Sequence, residues 1–282
     1  MNKFINNFTI VLVSYRSKHK IFKLVSKLSK NFKIIIVENS NDKSIEKKFT
    51  KFKNILFYYP DQNKGFGAGL NYGVKKAKSK FILYLDIDTK INNYQIEKLC
   101  NKIKKVKDFG VVTAKIKDQD YKDLILGLDK KTSMKYVKFN TGVVMVFKRR
   151  SFLKMGGFDE NYFLYFEETD YYLRCIKKNK KIYLFENILV EHEGQGSIDG
   201  KLKIQYAILR NWHYCWSKFN YYNKHYSYLR AISKTFPNLV KSIKGIFHGI
   251  IKFNSGKINL HFAELGGLFS AYLRLNSFYR IN

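Results

Sequence analysis

Strand-like apolar runs separated by a helical pattern open this chain, and their order constrains its fold more than any other feature. Residues 8–13 form a short, continuous and β-branched apolar run, typical of a strand buried on both faces. Apolar residues then recur at helical spacing over 21–28, and residues 33–37 form a second run of the buried-strand type. A strand, a helix and a strand in this order predict a right-handed crossover and a parallel sheet.

The later segments extend this α/β pattern and then change character. We predict strands at 55–59, 81–85, 139–147 and 182–185, and helices at 70–77, 151–155 and 168–177. Past about residue 221 no strand pattern remains, and the sequence is helical, basic and aromatic. The predicted organisation is therefore an α/β domain over 1–220 and a helical extension over 221–282.

The size and cysteine content favour a folded protein of a reducing compartment. A chain of 282 residues with 17% aromatic residues can bury a large core. Its 3 cysteines are widely spaced, which argues against a disulfide framework or a cysteine-rich zinc site. Since no stretch of roughly 18 apolar residues occurs, we expect a cytoplasmic protein that meets a membrane only from its surface.

The formal charge of +31 comes from 53 Lys and Arg against 22 Asp and Glu. Such a surface attracts nucleic acid, anionic lipid and phosphorylated substrates alike. Lysine together with abundant Asn, Ile, Phe and Tyr is also what an AT-rich genome encodes by codon drift. The charge alone therefore identifies no partner.

A glycine-rich segment runs from Asn63 to Asn71, ahead of a helical pattern. Glycines let backbone N–H groups approach an anion at the start of a helix, so this loop is a candidate phosphate site. A dinucleotide fingerprint is the alternative, because Asp86 and Asp88 follow about 20 positions later. That fingerprint should directly follow the first strand of its unit, whereas residues 60–64 intervene here.

Two carboxylates stand at the end of a predicted strand, and an imidazole comes later in the chain. Asp86 and Asp88 follow the apolar run that ends at Leu85, and His192 comes directly after Val190–Glu191. Hard oxygen ligands in this spacing suit Mg²⁺ or Mn²⁺ held by a diphosphate. Aspartates at strand ends also stabilise turns, and a lone histidine also occurs in protein cores, so both structural alternatives stay open.

A second acidic cluster opens the helical pattern over 168–177. It consists of Glu167, Glu168 and Asp170. Negative charge at a helix N-terminus is favoured by the helix dipole, so these carboxylates have a structural explanation beside a catalytic one.

Taken in order, these segments resemble the family 2 glycosyltransferases of the GT-A fold, and within them the rhamnosyltransferase-like branch. The resemblance covers residues 8–211. It rests on segments 9–15, 36–40, 63–71, 85–89, 140–142, 156–160 and 165–170, on His192 and on Arg210–Asn211. It implies a GT-A nucleotide-diphospho-sugar transferase fold, in which a Rossmann-like, mostly parallel mixed sheet is flanked by helices, with a C-terminal helical extension.

The resemblance also implies inverting sugar transfer from a nucleotide diphosphate donor, with Mg²⁺ or Mn²⁺ at the leaving diphosphate. Asp88, assisted by Asp86, would hold the metal, and His192 would complete the coordination as a neutral imidazole. The residues that would bind the nucleotide are Glu38, Asn63, Gly65, Phe66, Gly67 and Asp86. The donor or acceptor pocket would be lined by Gly142, Glu167 and Arg210.

The general base is expected in the acidic cluster. The family's usual acidic dipeptide ends in Asp, and the matching residue here is Glu168, one methylene longer. Either Glu168 is the base with the acceptor displaced, or Asp170 or Glu167 takes over. Asp86 is a further departure, since this branch often carries Asn there.

We therefore expect a metal-dependent inverting glycosyltransferase that moves a hexose or deoxyhexose onto a surface-polysaccharide or polyprenyl-linked glycan. Rhamnose from a thymidine diphosphate donor is the first expectation, and a uridine diphosphate hexose is the alternative. A nucleic-acid-binding protein would explain the charge but not the ordered carboxylates, so no nucleic acid partner is expected.

The end of the chain predicts a basic amphipathic helix after Pro237–Asn238. At about 100° per residue, one arc holds Leu239, Val240, Ile243, Ile246, Phe247, Ile250 and Ile251. The opposite side holds Lys241, Lys244, His248 and Lys252. Such a helix either packs its apolar arc on the protein or lies in the interface of an anionic membrane. The second interpretation places the protein peripherally at the inner face of the cytoplasmic membrane.

Overall fold

A computed structural model describes residues 4–28, 32–194 and 203–281. The strands are β1 Phe8–Ser14, β2 Lys33–Glu38, β3 Ile55–Tyr58, β4 Phe81–Leu85, β5 Thr89–Lys90, β6 Val111–Ile116, β7 Ile125–Asp129, β8 Met134–Val137, β9 Val144–Lys148 and β10 Ile182–His192. The α-helices are α1 Lys18–Val25, α2 Phe66–Lys76, α3 Asn93–Ile103, α4 Arg149–Lys154, α5 Glu167–Lys177, α6 Lys203–His225, α7 Tyr228–Ile251 and α8 Ser255–Tyr272.

The chain divides into two compact units. The sheet unit comprises Met1–Phe158 and Tyr171–Ser197, and the helical unit comprises Asp159–Asp170 and Ile198–Asn282. In the sheet unit, one mixed sheet has the strand order β3-β2-β1-β4-β9-β6-β10-β8-β7, and β5 pairs with β10. Strand β1 is parallel to both β2 and β4, as the opening strand–helix–strand pattern predicts.

Strand β1 shows why the first apolar run is continuous. Phe8 and Leu12 belong to one buried cluster and Val11 to the other, so both faces of this strand are covered. Helix α2 packs closely here, because a Cβ added at Gly73 would lie 2.6 Å from Cγ1 of Val11. Because β1, β2 and β4 are parallel, their carboxyl ends lie along the same edge of the sheet, and the polar side chains that follow these strands lie close together there.

Two predicted strands have different bounds in the structure. The run at 139–147 becomes a strand only at Val144, because the buried Asn140 side chain fixes the segment before it: it donates to the Ala114 carbonyl at 2.9 Å and accepts from the Tyr121 hydroxyl at 2.9 Å. Strand β10 continues to His192 instead of ending at 185. Its register against β6 shifts between Phe185 and Leu189, which interrupts the apolar pattern.

In the helical unit, α6, α7 and α8 pack against one another. The segment after α8 is held on α6, where the Trp216 indole donates to the Leu275 carbonyl at 2.9 Å. Helix α7 starts earlier than predicted, and Pro237 lies inside it. Pro237 and Ser233 are exposed, so the Ser233 carbonyl that loses its helical donor can be hydrated. Among the described residues, no helix is long and apolar enough to cross a membrane.

Candidate active site

The predicted metal ligands come together in the sheet unit. Nε2 of His192 lies 2.8 Å from Oδ1 of Asp88 and 3.3 Å from Oδ2 of Asp86. One ligand atom from each of the three residues can be chosen so that all lie within 4.8 Å of one another. Their donors are two carboxylates and an imidazole, a set that fits a divalent cation such as Mn²⁺ or Mg²⁺.

Strand pairing places these three side chains together. Asp86 directly follows β4, and its backbone N–H donates to the Val143 carbonyl at 2.8 Å. Strand β5 begins one residue after Asp88 and pairs antiparallel with the end of β10, so that Thr89 lies opposite His192. The imidazole therefore reaches the aspartates across this short ladder.

The electrostatics of the site favour a protonated His192 beside an ionised Asp88. Hydrogen bonds to Asp86 and then Asp88 raise the pKa of His192 to about 10. Burial of Asp88 would raise its pKa, but the hydrogen bond and charge of His192 outweigh burial and hold this pKa below its ordinary value. Without a metal, His192 is therefore a cation between two anions. A metal ion binds only the neutral imidazole of His192, so its binding releases a proton.

Lys20 is a site residue that the sequence did not indicate. Its Nζ lies 3.8 Å from Oδ2 of Asp88 and 3.6 Å from Oε2 of Glu193. A cavity of about 390 Å³ opens beside Asp88, and its cationic lining residues are Lys20, Lys23, Lys27 and Lys90. In a chain with 53 Lys and Arg, a single lysine gives no sequence signal, and only the fold shows which of them lie beside the metal ligands.

The predicted nucleotide-binding residues lie around the carboxyl end of β2. Glu38 is buried and accepts hydrogen bonds from the backbone N–H and the hydroxyl of Ser40. The Asn39 side chain donates to the Gly65 carbonyl at 3.2 Å, and Asn63 accepts from the Gly65 N–H at 2.9 Å. Gly65 has φ 94°, a conformation that favours glycine. The glycine loop is thus held against the end of β2.

Two further predicted residues have mainly packing contacts around this loop. The Phe66 ring packs 5.1 Å from the Tyr84 ring and 5.9 Å from the Phe158 ring, and Gly67 is buried in the same helix, α2. Gly142 directly precedes Val143, whose carbonyl accepts the Asp86 N–H, so it lies near the metal ligands. The nucleotide and sugar roles of these residues remain predictions.

The acidic cluster forms the first turn of α5 and belongs to the helical unit. Before it, Tyr165 and Phe166 have φ 67° and 69°, a strained conformation for two consecutive bulky residues. The Phe166 ring lies 5.8 Å from the Tyr214 ring and 5.4 Å from the Tyr221 ring of α6. These contacts hold the strained turn, and they depend on a helix distant in sequence, so no local signal predicts them.

The two adjacent glutamates differ in environment. Glu167 is buried, and its Oε2 has no hydrogen-bond partner among the described residues. Burial, followed by the charge of Glu168, raises its pKa well above the ordinary value. Glu168 is half-buried, and burial raises its pKa as well. Burial disfavours the charged form of both carboxyls, and the charge of Glu168 adds to this effect at Glu167, so Glu168 is the one of the two that loses its proton more readily.

Asp170 is the most constrained carboxylate of the cluster. It is fully buried, and its Oδ1 accepts from Nζ of Lys224 at 2.5 Å and contacts Nε2 of His225 at 2.7 Å. Lys224 also donates to Asp159 at 2.7 Å. Asp170 is buried and held by these side chains, whereas Glu168 is half-buried, so access for an acceptor favours Glu168 over Asp170 as a base. Arg210 lies on α6, and its charge opposes the burial that raises the pKa of Tyr165.

Sequence comparison places the chain among glycosyltransferases. The model of the family described as Glycosyl transferase family 2 matches residues 9–156. The low-salt glycan biosynthesis hexosyltransferase of Haloferax volcanii is 22% identical over 199 residues, which is 63% of this chain and 64% of the relative. An uncharacterized glycosyltransferase of Methanocaldococcus jannaschii is 23% identical over 207 residues, covering 65% of this chain and 69% of the relative. The match thus spans just under two thirds of the Haloferax protein.

Solved structures share the fold. A mannosyltransferase from Pyrobaculum calidifontis, in complex with GDP-Man and Mn²⁺, has a TM-score of 0.58 at 11% identity and covers 94% of this chain and 86% of its own. TarS of S. aureus, in complex with UDP-GlcNAc, has a TM-score of 0.53 at 13% identity, covering 98% of this chain and 93% of its own. The predicted fold class is thereby confirmed.

Proposed function

Because the chain belongs to glycosyltransferase family 2, we propose that it transfers a sugar from a nucleotide diphosphate donor to a glycan acceptor with inversion at the anomeric carbon. The observation that carries this proposal is the convergence of Asp86, Asp88 and His192 at the edge of the sheet. If the aspartates only stabilised a turn and the histidine only filled the core, nothing would require the three side chains to bring their ligand atoms together.

The metal ligands and the glycine loop have separate roles in this proposal. A divalent metal held by Asp86, Asp88 and His192 supplies Lewis-acid stabilisation of negative charge on the leaving diphosphate. The loop from Gly65 to Gly67 and the buried Glu38 bind the nucleotide. Lys20 balances the charge of Asp88 when the nucleotide is absent.

Glu168 is the proposed general base. The acceptor hydroxyl attacks the anomeric carbon as the bond from that carbon to the diphosphate oxygen breaks, and the hydroxyl proton passes to the Glu168 carboxylate. Glu167, whose pKa burial raises well above its ordinary value, can in its protonated form donate a hydrogen bond to an acceptor oxygen from the same turn. Gly142 of the sheet unit and Arg210 of the helical unit each keep their predicted role in sugar binding.

The proposed acceptor is a surface-polysaccharide or polyprenyl-linked glycan on the cytoplasmic side of a membrane, met by peripheral contact. Rhamnose from a thymidine diphosphate donor is the first donor to test, on the basis of the sequence motifs, and a uridine diphosphate hexose is the alternative. The Haloferax relative is named for glycan biosynthesis, which supports a glycan acceptor.

A donor panel tests the function directly. The full chain with Mn²⁺ is incubated with the rhamnose, glucose, galactose, N-acetylglucosamine and mannose donors of their usual nucleotides, and nucleoside diphosphate release is measured. One donor should be hydrolysed well above the others, and faster when an acceptor is added. A parallel filter-binding assay with DNA and RNA at physiological salt gives the competing outcome. No hydrolysis of any donor, together with tight nucleic acid binding, would overturn the proposal.

Metal affinity should depend on pH, because the metal must displace a proton from His192, whose pKa is about 10 in the metal-free protein. Below that value, binding of Mn²⁺ releases one proton, so its affinity should increase by about tenfold per pH unit from mildly acidic to mildly alkaline solution. Titration calorimetry in two buffers with different ionisation enthalpies measures the released proton.

The control for this titration is His192→Ala, which removes the titrating ligand and keeps both aspartates. We expect it to bind Mn²⁺ more weakly and with little pH dependence over the same range. A pH-independent affinity in the parent protein would show that His192 does not bind the metal.

A further inference from the structure

Helix α7 packs on α8 through its own small side chains. The buried residues of α7 are Ala231, Thr235, Ser242 and Gly249, and the α8 side chains that this face meets include Ile258, His261, Glu264 and Tyr272. A Cβ added at Gly249 would lie 2.6 Å from Cγ1 of Ile258, and one at Gly245 would clash with the His261 ring. In water, helices normally bury their large apolar residues; small-residue contacts between helices are typical where the surroundings are themselves apolar.

Eight large apolar residues of the same helices point outward, whereas Leu268 of α8 is buried. We call this set the outer face; its members on α7 and α8 are Leu229, Phe236, Ile243, Phe247, Ile250, Ile251, Phe262 and Phe269. Their exposed fractions range from 41% at Ile243 to 78% at Leu229. At about 100° per residue, the α7 members fall on one arc, so they form a continuous stripe and not scattered surface residues. The interpretation in which this arc packs on the protein therefore does not hold for Ile243, Phe247 and Ile250.

Positive charge borders the stripe. The basic residues from 228 to 272 are Arg230, Lys234, Lys241, Lys244, Lys252 and Lys257, and the acidic residue is Glu264. Glu264 lies between the helices, where it accepts from the Ser242 hydroxyl at 2.6 Å and contacts Nδ1 of His261 at 2.8 Å. No negative charge of these two helices therefore faces outward. On α7, the four basic residues fill the arc next to the stripe, at about 100° per residue.

We propose that the outer face docks on an anionic membrane surface, with its apolar side chains at the level of the lipid headgroups and acyl boundary and the flanking lysines on lipid phosphates. This combination of an apolar stripe and adjacent cations is what an interfacial helix requires. A second copy of the chain fits the surface poorly, because pairing two outer faces would bring their cations together. The docking surface deepens the proposed function by supplying its membrane contact, but it stands on the helical unit alone.

Flotation of the full chain with vesicles tests the docking. The parent should float with vesicles of phosphatidylcholine and phosphatidylglycerol, and much less with phosphatidylcholine alone. Changing Ile243, Phe247 and Ile250 to Ser should weaken binding to the anionic vesicles by roughly 10²-fold, because three apolar side chains no longer enter the lipid. Changing Lys234, Lys241 and Lys244 to Gln should weaken it by about tenfold or more.

Matched controls separate docking from folding and from catalysis. Leu56, Leu126 and Leu128 are exposed residues of the sheet unit, and their triple Ser variant should float like the parent. The triple Ser variant of α7 should keep the parent's melting temperature and its activity on a water-soluble acceptor. If the triple Ser variant of α7 keeps its activity on the water-soluble acceptor but no longer floats, the docking proposal is supported. If the parent itself has no activity on that acceptor, the proposed function is wrong and the docking proposal is unaffected.

Three results would overturn the proposal. One is equally low flotation of the parent with neutral and anionic vesicles. Another is a lower melting temperature of the triple Ser variant and of Phe247→Ser alone, which would place these side chains in a core. The third is a dimer in light scattering that becomes a monomer in the triple Ser variant, which would make the outer face a contact between copies.

Discussion

Asp88→Ala should abolish sugar transfer and weaken donor binding in the presence of metal, while the protein stays folded. Asp88 is the most buried of the three predicted ligands, with its side chain 3% exposed, and it contacts both His192 and Lys20. Loss of a metal contribution of several kcal/mol corresponds to roughly 10³-fold or more in rate. The free energy of unfolding should change by only about 1–2 kcal/mol, because His192 keeps Asp86 and Lys20 keeps Glu193 as partners.

The measurement is transfer rate with saturating Mn²⁺, together with the melting temperature. Asp108→Ala is the matched control, since it removes an exposed carboxylate that is paired with Lys180 at 2.7 Å in the same unit. It should leave the rate unchanged. Full activity of the parent after treatment with EDTA would disprove the metal role altogether.

Glu168→Gln should lower the acceptor-dependent rate by roughly 10²–10⁴-fold, with donor affinity nearly unchanged. The amide keeps the shape of the side chain but cannot take the acceptor's proton. In the parent, burial raises the pKa of Glu168, so the rate should fall as pH drops through this raised value and be restored above it. Glu168→Gln should lose this dependence. Glu186→Gln, which alters a carboxylate paired with Lys135 at 3.0 Å, is the control.

Asp170→Asn distinguishes the alternative base. Because Lys224 and His225 would lose their buried anion, this variant should be destabilised by about 3–5 kcal/mol, and any loss of activity should accompany a lower melting temperature. If Glu168→Gln stayed active and Asp170→Asn were inactive at an unchanged melting temperature, the base would be Asp170.

The same sequence patterns that predict the fold also predict most of the candidate site. Continuous β-branched runs identified β1, β2 and β4 to within one residue at each end, because strands covered on both faces need apolar residues at every position. Asp86 and Asp88 could be predicted as candidate ligands from their place after such a strand, and the resemblance to the family favoured this role over a turn. The strand at 182–185 was predicted too short, because the register shift before Leu189 interrupts its pattern.

What the sequence by itself determined is the order of elements from β1 to β4 and the residue types that carry chemistry, because both are written in local periodicity and in motif spacing. It did not predict α3 or the strands from β5 to β8. Only the tertiary structure decided which neighbours those residues have. It gave Asp88 its contact with Lys20, engaged Asp170 with Lys224 and His225, and raised the pKa of Glu167 further than that of Glu168. It also turned the apolar arc of α7 outward, because packing through Gly245 and Gly249 selects the small-residue side as the inner face. Burial, pKa and the choice of buried face depend on residues distant in sequence, and no local pattern contains them.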